Sequence, residues 1–213
     1  MTHSRTLVLA AAIAAPILFV AGQALLPVLG RDVDTAFALM LAHRDQLIMS
    51  RLLSTAGAFL LLPALWLIST LGGTVTRVGA VIAGVGTFFN AVSQVVQGYA
   101  AWAASAPGLD HDATMPILLH VDRGLVGLPV AYWSVPVFGV GLLVLGVGLL
   151  IARPVPWWMP ALLLVGVVAA FLTAGLGPVV ALTEAPLAVA LIALATRAGS
   201  ALAVRVRTGH AVV

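Results

Sequence analysis

Six stretches of this chain, each seventeen residues or longer, hold a single charged side chain among them. They run over about 7–26, 52–71, 78–101, 130–151, 157–174 and 179–195. A helix crossing a bilayer needs about 20 largely apolar residues. In hydrocarbon every backbone N–H and C=O must be satisfied within the segment, and a helix does this alone. The expected fold is therefore all-α: a polytopic integral membrane helical bundle with six transmembrane helices. It takes up residues 1–213 as one membrane-embedded domain. Composition agrees, with 62% hydrophobic and 8% charged residues against roughly 25% charged in a soluble domain.

The chain has no cysteine and no lysine, and Asn90 is its only asparagine. Disulfide, thiolate and lysine Schiff-base chemistry are excluded. The bias against AT-rich codons points to a high-GC bacterial genome. The isoelectric point of about 10.6 does not indicate a nucleic-acid partner, because the ten basic residues are scattered arginines without a basic stripe.

The arginines act instead as topology signals. With the N-terminus in the cytoplasm, Arg5, Arg77, Arg153, Arg197, Arg205 and Arg207 fall inside, with no acid beside them. Arg31, Arg44, Arg51 and Arg123 fall outside, among six aspartates. The expected location is the inner (plasma) membrane, multi-pass, with both termini cytoplasmic. Trp157 and Trp158 beside Arg153 suit an interfacial belt. The first apolar run exceeds the length of a signal-peptide core and is expected to be retained.

Two outer loops, about 30–51 and 105–129, are longer than the rest. In the first, Asp34 is placed as N-cap of a helix over 35–49 that lies at the interface or extends the second span. In the second, Pro107 and Gly108 form a stop, and Pro116 opens a short helix to about Leu125. Gly175, Leu176, Gly177 and Pro178 join the fifth and sixth spans as a tight hairpin. His43-Arg44-Asp45 and His120-Val121-Asp122 echo one another too slightly to mark a repeat.

Polar side chains inside spans are expensive and usually face a bundle interior. Asn90, Gln94 and Gln97 stand at i, i+4 and i+7, on one helical face. Gln23, Arg51, Ser54, Thr55, Tyr132, Ser134, Thr173, Thr183 and Glu184 join them in the outer halves of their spans. The inner halves are almost wholly apolar, so no polar track crosses the membrane. Glu184, the only acid within a span, needs a partner or a proton, and Arg51 and Arg123 are the candidates.

No cofactor or metal is expected. His43, His111 and His120 with Asp110, Asp112 and Asp122 lack any zinc-ligand spacing. No two histidines fall within spans, where they would have to lie to ligate haem iron axially. Gly139, Gly141, Gly146 and Gly148 in the fourth span fit close helix packing, with neither a dinucleotide fingerprint nor a phosphate loop.

The leading functional expectation is a binding protein. It holds a lipid-like or amphipathic ligand, or a partner membrane protein, in a polar pocket in the outer half of the bundle, through Asn90, Gln94, Gln97, Glu184 and Arg51. The first alternative is an intramembrane enzyme acting on a lipid or isoprenoid, with Glu184 as acid and Asp122 or His120 as second acid or base. The second is a small transporter. It is disfavoured by the missing inner polar track and by the lack of matched mid-span Pro or Gly breaks.

Overall fold

The computed structural model describes residues 2–27, 33–106, 108–110, 112, 114–116, 120, 128–173 and 179–207. Within them stand seven helices, six of them long and one, α2, of 10 residues: α1 (Thr2–Ala24), α2 (Val33–Ala42), α3 (Arg44–Ser69), α4 (Thr74–Ala104), α5 (Leu128–Ala152), α6 (Trp158–Leu172) and α7 (Val179–Arg207). No strand occurs among the described residues.

Five helices, α1, α3, α4, α5 and α7, are long and apolar enough to cross a membrane, so the chain is a multi-pass membrane protein. The sixth expected span, α6, is equally apolar but has only 15 residues. At 1.5 Å per residue it reaches about 22 Å, short of the roughly 30 Å hydrocarbon core. The last helix, expected to be short, instead continues to Arg207. The second span is extended to Arg44, as one of the two readings of the first outer loop has it. Asp34 lies inside α2 and not at its cap, and α2 ends at Ala42, one residue before the break at His43. Pro116 lies within a helical turn with residues 114 and 115, so it does not open one. Asp122, Arg123 and the hairpin residues 175–178 fall outside the described residues.

Prolines do occur inside spans, at Pro16, Pro63, Pro136 and Pro186. Each removes one i→i−4 hydrogen bond, yet all four helices run through unbroken. They do not make the discontinuous helices of a transporter.

The six long rods form a closed ring. α1 packs on α3, α3 on α4, α4 on α5, α5 on α6, α6 on α7, and α7 returns to α1. Small residues set how closely they approach. Gly79 and Gly86 of α4 lie against the Leu145 and Phe138 backbone of α5, while Gly141 and Gly148 of α5 lie against Ala83 and Thr76 of α4. A Cβ on Gly148 would stand 2.6 Å from the Thr76 nitrogen. Gly139 and Gly146 face the opposite neighbour, meeting Phe171 and Leu164 of α6. The four glycines of α5 thus form two pairs, each seven residues apart, one for each flanking helix. Where lipid offers no hydrophobic drive for association, close backbone packing of this kind holds helices together.

The exterior is as apolar as the interior. Trp66, Val81, Ile151, Leu172 and Leu182 are each more than 60% exposed, which suits lipid and not water. Exposed Tyr99, Trp102, Tyr132 and Trp133 gather at one end of the ring, and Trp66, Trp157 and Trp158 at the other. Aromatic residues at both ends mark the two interfaces of a membrane. The Arg44 guanidinium lies 5.8 Å from the Trp102 ring centre, a cation–π contact at the first of these ends.

Candidate functional site: a cavity at one end of the ring

The helices are filled differently at their two ends. Toward the 70–73 and 153–157 connections the ring is plugged by Leu61, Leu65, Leu145, Leu149, Leu163, Leu191 and Leu194, all essentially buried. At the other end α1, α4 and α6 finish while α3, α5 and α7 begin. There the ring encloses a partly open cavity of about 360 Å³. All six helices contribute. Phe19 and Gln23 come from α1, Arg51 from α3, and Asn90 and Gln94 from α4. α5 gives Val135, Phe138, Gly139 and Leu142, α6 gives Val167, Ala170 and Phe171, and α7 gives Val180, Glu184 and Leu187. Leu26 and Pro27, just past α1, complete the wall.

Two kinds of surface meet in this cavity. The polar groups lie on α1, α3, α4 and α7. Arg51 is placed two turns into α3, where Gly98 of α4 makes room: a Cβ there would come within 3.0 Å of Arg51 Cβ. The Arg51 guanidinium donates to Gln94 Oε1. Gln94 Nε2 in turn donates to Asn90 Oδ1 at 3.5 Å, near the outer limit of a hydrogen bond. The i, i+4 spacing of Asn90 and Gln94 on one helix produces this row. Glu184 reaches the cavity from α7, which stands across the ring from α4. Its Oε2 is buried without a hydrogen-bond partner. The rest of the lining is apolar, from Phe19, Phe138, Leu142, Val167 and Leu187. A narrow apolar crevice of about 10 Å³ continues past Phe19, Phe138, Glu184 and Leu187 toward Pro16 and Leu191.

Neighbouring contacts fix the helix ends that carry these groups. Ser50 Oγ donates to the Gly22 carbonyl at 2.7 Å, and Gln46 Nε2 to the Leu25 carbonyl at 3.0 Å, joining α3 to the end of α1. The Thr173 and Thr183 hydroxyls meet at 2.6 Å between α6 and α7, one residue before Glu184.

Of the residues singled out from the sequence, Asn90, Gln94, Glu184 and Arg51 come together around the cavity. Gln97 is half-buried one turn beyond and does not line it. Arg51 is engaged by Gln94, and no contact joins it directly to Glu184. His120 is exposed and not part of the lining. Among the described residues no three His, Asp or Glu side chains converge as a metal site would require. Sequence reasoning noted Gln23 only as an outer-half polar residue, and it missed the apolar walls entirely. Phe138, Val167 and Phe171 carry no mark that distinguishes a cavity wall from any lipid-facing or core position.

Fold and site together define a class: a multi-pass helical membrane bundle with a polar and apolar cavity at one end of its helix ring. Comparison with protein-family models, with curated proteins and with solved structures gives no match to this chain.

Proposed function

We propose that this protein binds a lipid-like amphiphile in the cavity between its six helices. The observation that carries this reading is the cavity that the Arg51–Gln94–Asn90 row and Glu184 share with apolar walls, where Glu184 Oε2 is buried without a partner. A buried polar atom left unpaired costs roughly 1–3 kcal/mol, and more when it is charged. A ligand that draws the Glu184 carboxyl around into a hydrogen bond recovers that cost. The apolar walls receive its hydrocarbon part, in the usual pattern of a small-molecule site with few polar groups on an apolar surface.

The cavity end faces outward and both termini lie in the cytoplasm, in a bacterial plasma membrane. Support comes from the arginines: Arg77, Arg153 and Arg197 are exposed at the plugged end, and the described acids, Asp34, Asp45, Asp110, Asp112 and Glu184, belong to the segments at the cavity end. Single cysteines test this cleanly in a chain that has none. A cysteine at Asp112 labels from outside intact cells and one at Gly73 does not; the reverse pattern inverts the orientation.

Binding is favoured over catalysis because, among the described residues that line the cavity, Glu184 stands without a second acid or base. The test is native mass spectrometry of the purified protein, with Glu184→Gln and Glu184→Leu beside the wild type. A small molecule retained by the wild type and by the Gln variant, and lost from the Leu variant, is the expected result. A wild type that retains nothing from its own membrane contradicts the reading. A Gln variant that accumulates an unconverted relative of the wild-type adduct favours the enzyme, because an amide cannot deliver a proton.

A further inference from the structure

We infer that the ligand of this cavity carries an oxyanion head, a carboxylate or a phosphate, held on the open edge of the Arg51 guanidinium with its hydrocarbon lying against α5 and α6. This inference rests on the binding reading above and adds the chemistry of the head and the direction in which the ligand lies.

The polar wall on α3 and α4 offers donors. A guanidinium has five N–H groups and no acceptor, and its positive charge is fixed. Arg51 Nη1 takes Gln94 Oε1. Gln94 then has its NH₂ to give, and this goes to Asn90 Oδ1. Asn90 is left in turn with an NH₂. The row therefore runs one way, and what it still presents is donors only. Arg51 Nε and Nη2 and Asn90 Nδ2 make no hydrogen bond among the described residues. None of them is shut off from the cavity as Glu184 Oε2 is. Nε and Nη2 share one edge of the guanidinium, with two parallel N–H bonds. That fork matches an oxygen pair of a carboxylate or phosphate. The Arg51 stem lies against Gly98, which holds the fork on this wall. The one described partner of Arg51 is a neutral amide, and no described carboxylate pairs with it. An oxyanion supplies both acceptors and a counter-charge, in charge-assisted bonds stronger than neutral ones. Any bond between this head and Glu184 has the carboxyl as donor, a role that the amide of Glu184→Gln also fills.

The ring order sets the direction. α6 stands three places round the ring from α3, so it faces Arg51 across the cavity. The described lining from α5 and α6 holds no polar side chain: Phe138 and Leu142 come from α5, and Val167, Ala170 and Phe171 from α6. A head on α3 thus leaves its hydrocarbon against α5 and α6, where only apolar surface meets it.

The test uses four probes of equal chain length on the full-length protein in nanodiscs of zwitterionic lipid: dodecanoate, dodecyl phosphate, dodecanol and dodecyltrimethylammonium. Their apparent affinities are read from thermal shifts. At least one anion is expected to bind about tenfold or more tightly than the alcohol and the cation, the size of one hydrogen bond to a charged group. The tighter anion assigns the head as carboxylate or phosphate. Arg51→Gln should erase the preference. Arg51→Lys, which keeps a positive charge without the two-donor edge, is the milder variant and should lose most of it. Glu184→Gln should retain it. Ala170→Trp, which narrows the space for the hydrocarbon, should weaken every probe several-fold. Alcohol or cation binding as tight as the anions overturns the head-group assignment, as does a preference that survives both Arg51 variants or vanishes in Glu184→Gln. Anion binding untouched by Ala170→Trp contradicts the direction. If none of the four binds while native mass spectrometry still finds a retained molecule, this assignment falls and the binding reading stands; if nothing is retained either, both fall.

Discussion

Gln94 and Gln97 sit one turn apart on α4 and are the same residue type, yet they have different work. Gln94 accepts from the Arg51 guanidinium and faces the cavity. Gln97 does neither. Hydrogen bonds to charged groups contribute about 1.5–3 kcal/mol, so Gln94→Leu should lower stability by about that amount. Gln97→Leu should stay within about 0.5 kcal/mol, as surface substitutions away from such features do. Thermal melts of the two variants in one detergent check the contrast, and equal losses contradict the assigned roles. A second residue stores strain. Arg153 closes α5 with φ +50°, the left-handed region where glycine is at ease. Its N–H still bonds the Leu149 carbonyl at 2.9 Å. Arg153→Gly should therefore raise stability by about 0.5–1 kcal/mol, less the greater freedom glycine gives the unfolded chain. A lower melting temperature would show that the exposed guanidinium contributes more than the strain costs.

At the scale of elements, glycine positions separate into two kinds. Gly79 lies against the Leu145 backbone, where a neighbour cannot yield, while Gly84 has only the tip of Leu62 at 3.8 Å. Gly79→Ala should destabilise by about 1–3 kcal/mol through overpacking. Gly84→Ala should be neutral or stabilise by up to about 1 kcal/mol, because a helix interior favours alanine. Denaturation in mixed micelles reads both, and a destabilised Gly84→Ala would contradict this packing. The helices themselves were legible in the sequence because length and apolarity alone determine spans. The row of Asn90 and Gln94 was legible because a helix has a fixed period. The ends were not. α7 runs twelve residues past its expected limit because Arg197 lies on its exposed surface, which a hydropathy reading takes as a stop. The shortness of α6 was visible as an eighteen-residue stretch, but its Trp157 and Thr173 became helix caps instead of helical turns.

At the scale of the molecule, the ring order follows the chain, each helix beside the next, and closes α7 on α1. That closure brings Glu184 to the same space as Arg51, Asn90 and Gln94, although it stands 90 positions along the chain from Gln94, the nearest of them. Depth was readable beforehand, since all four belong to the same half of their spans. The sequence offered Arg51 as a direct partner of Glu184, and that pairing does not form, because Gln94 is the neighbour that reaches Arg51. The apolar walls were hidden for a different reason: in a membrane protein a leucine facing lipid, core or cavity looks the same in sequence.

The central claim is that a molecule occupies this cavity. Ala170 lines it from α6 and is half-buried, so Ala170→Trp places an indole in the space without touching Arg51, Gln94 or Glu184 by substitution. Native mass spectrometry of the wild type and this variant, purified side by side from the same membrane, is the direct measurement. The wild type should carry a lipid-like amphiphile and the tryptophan variant should emerge without it, still folded by its melting transition. An adduct of the same mass and occupancy on both proteins would place the ligand elsewhere and contradict the account.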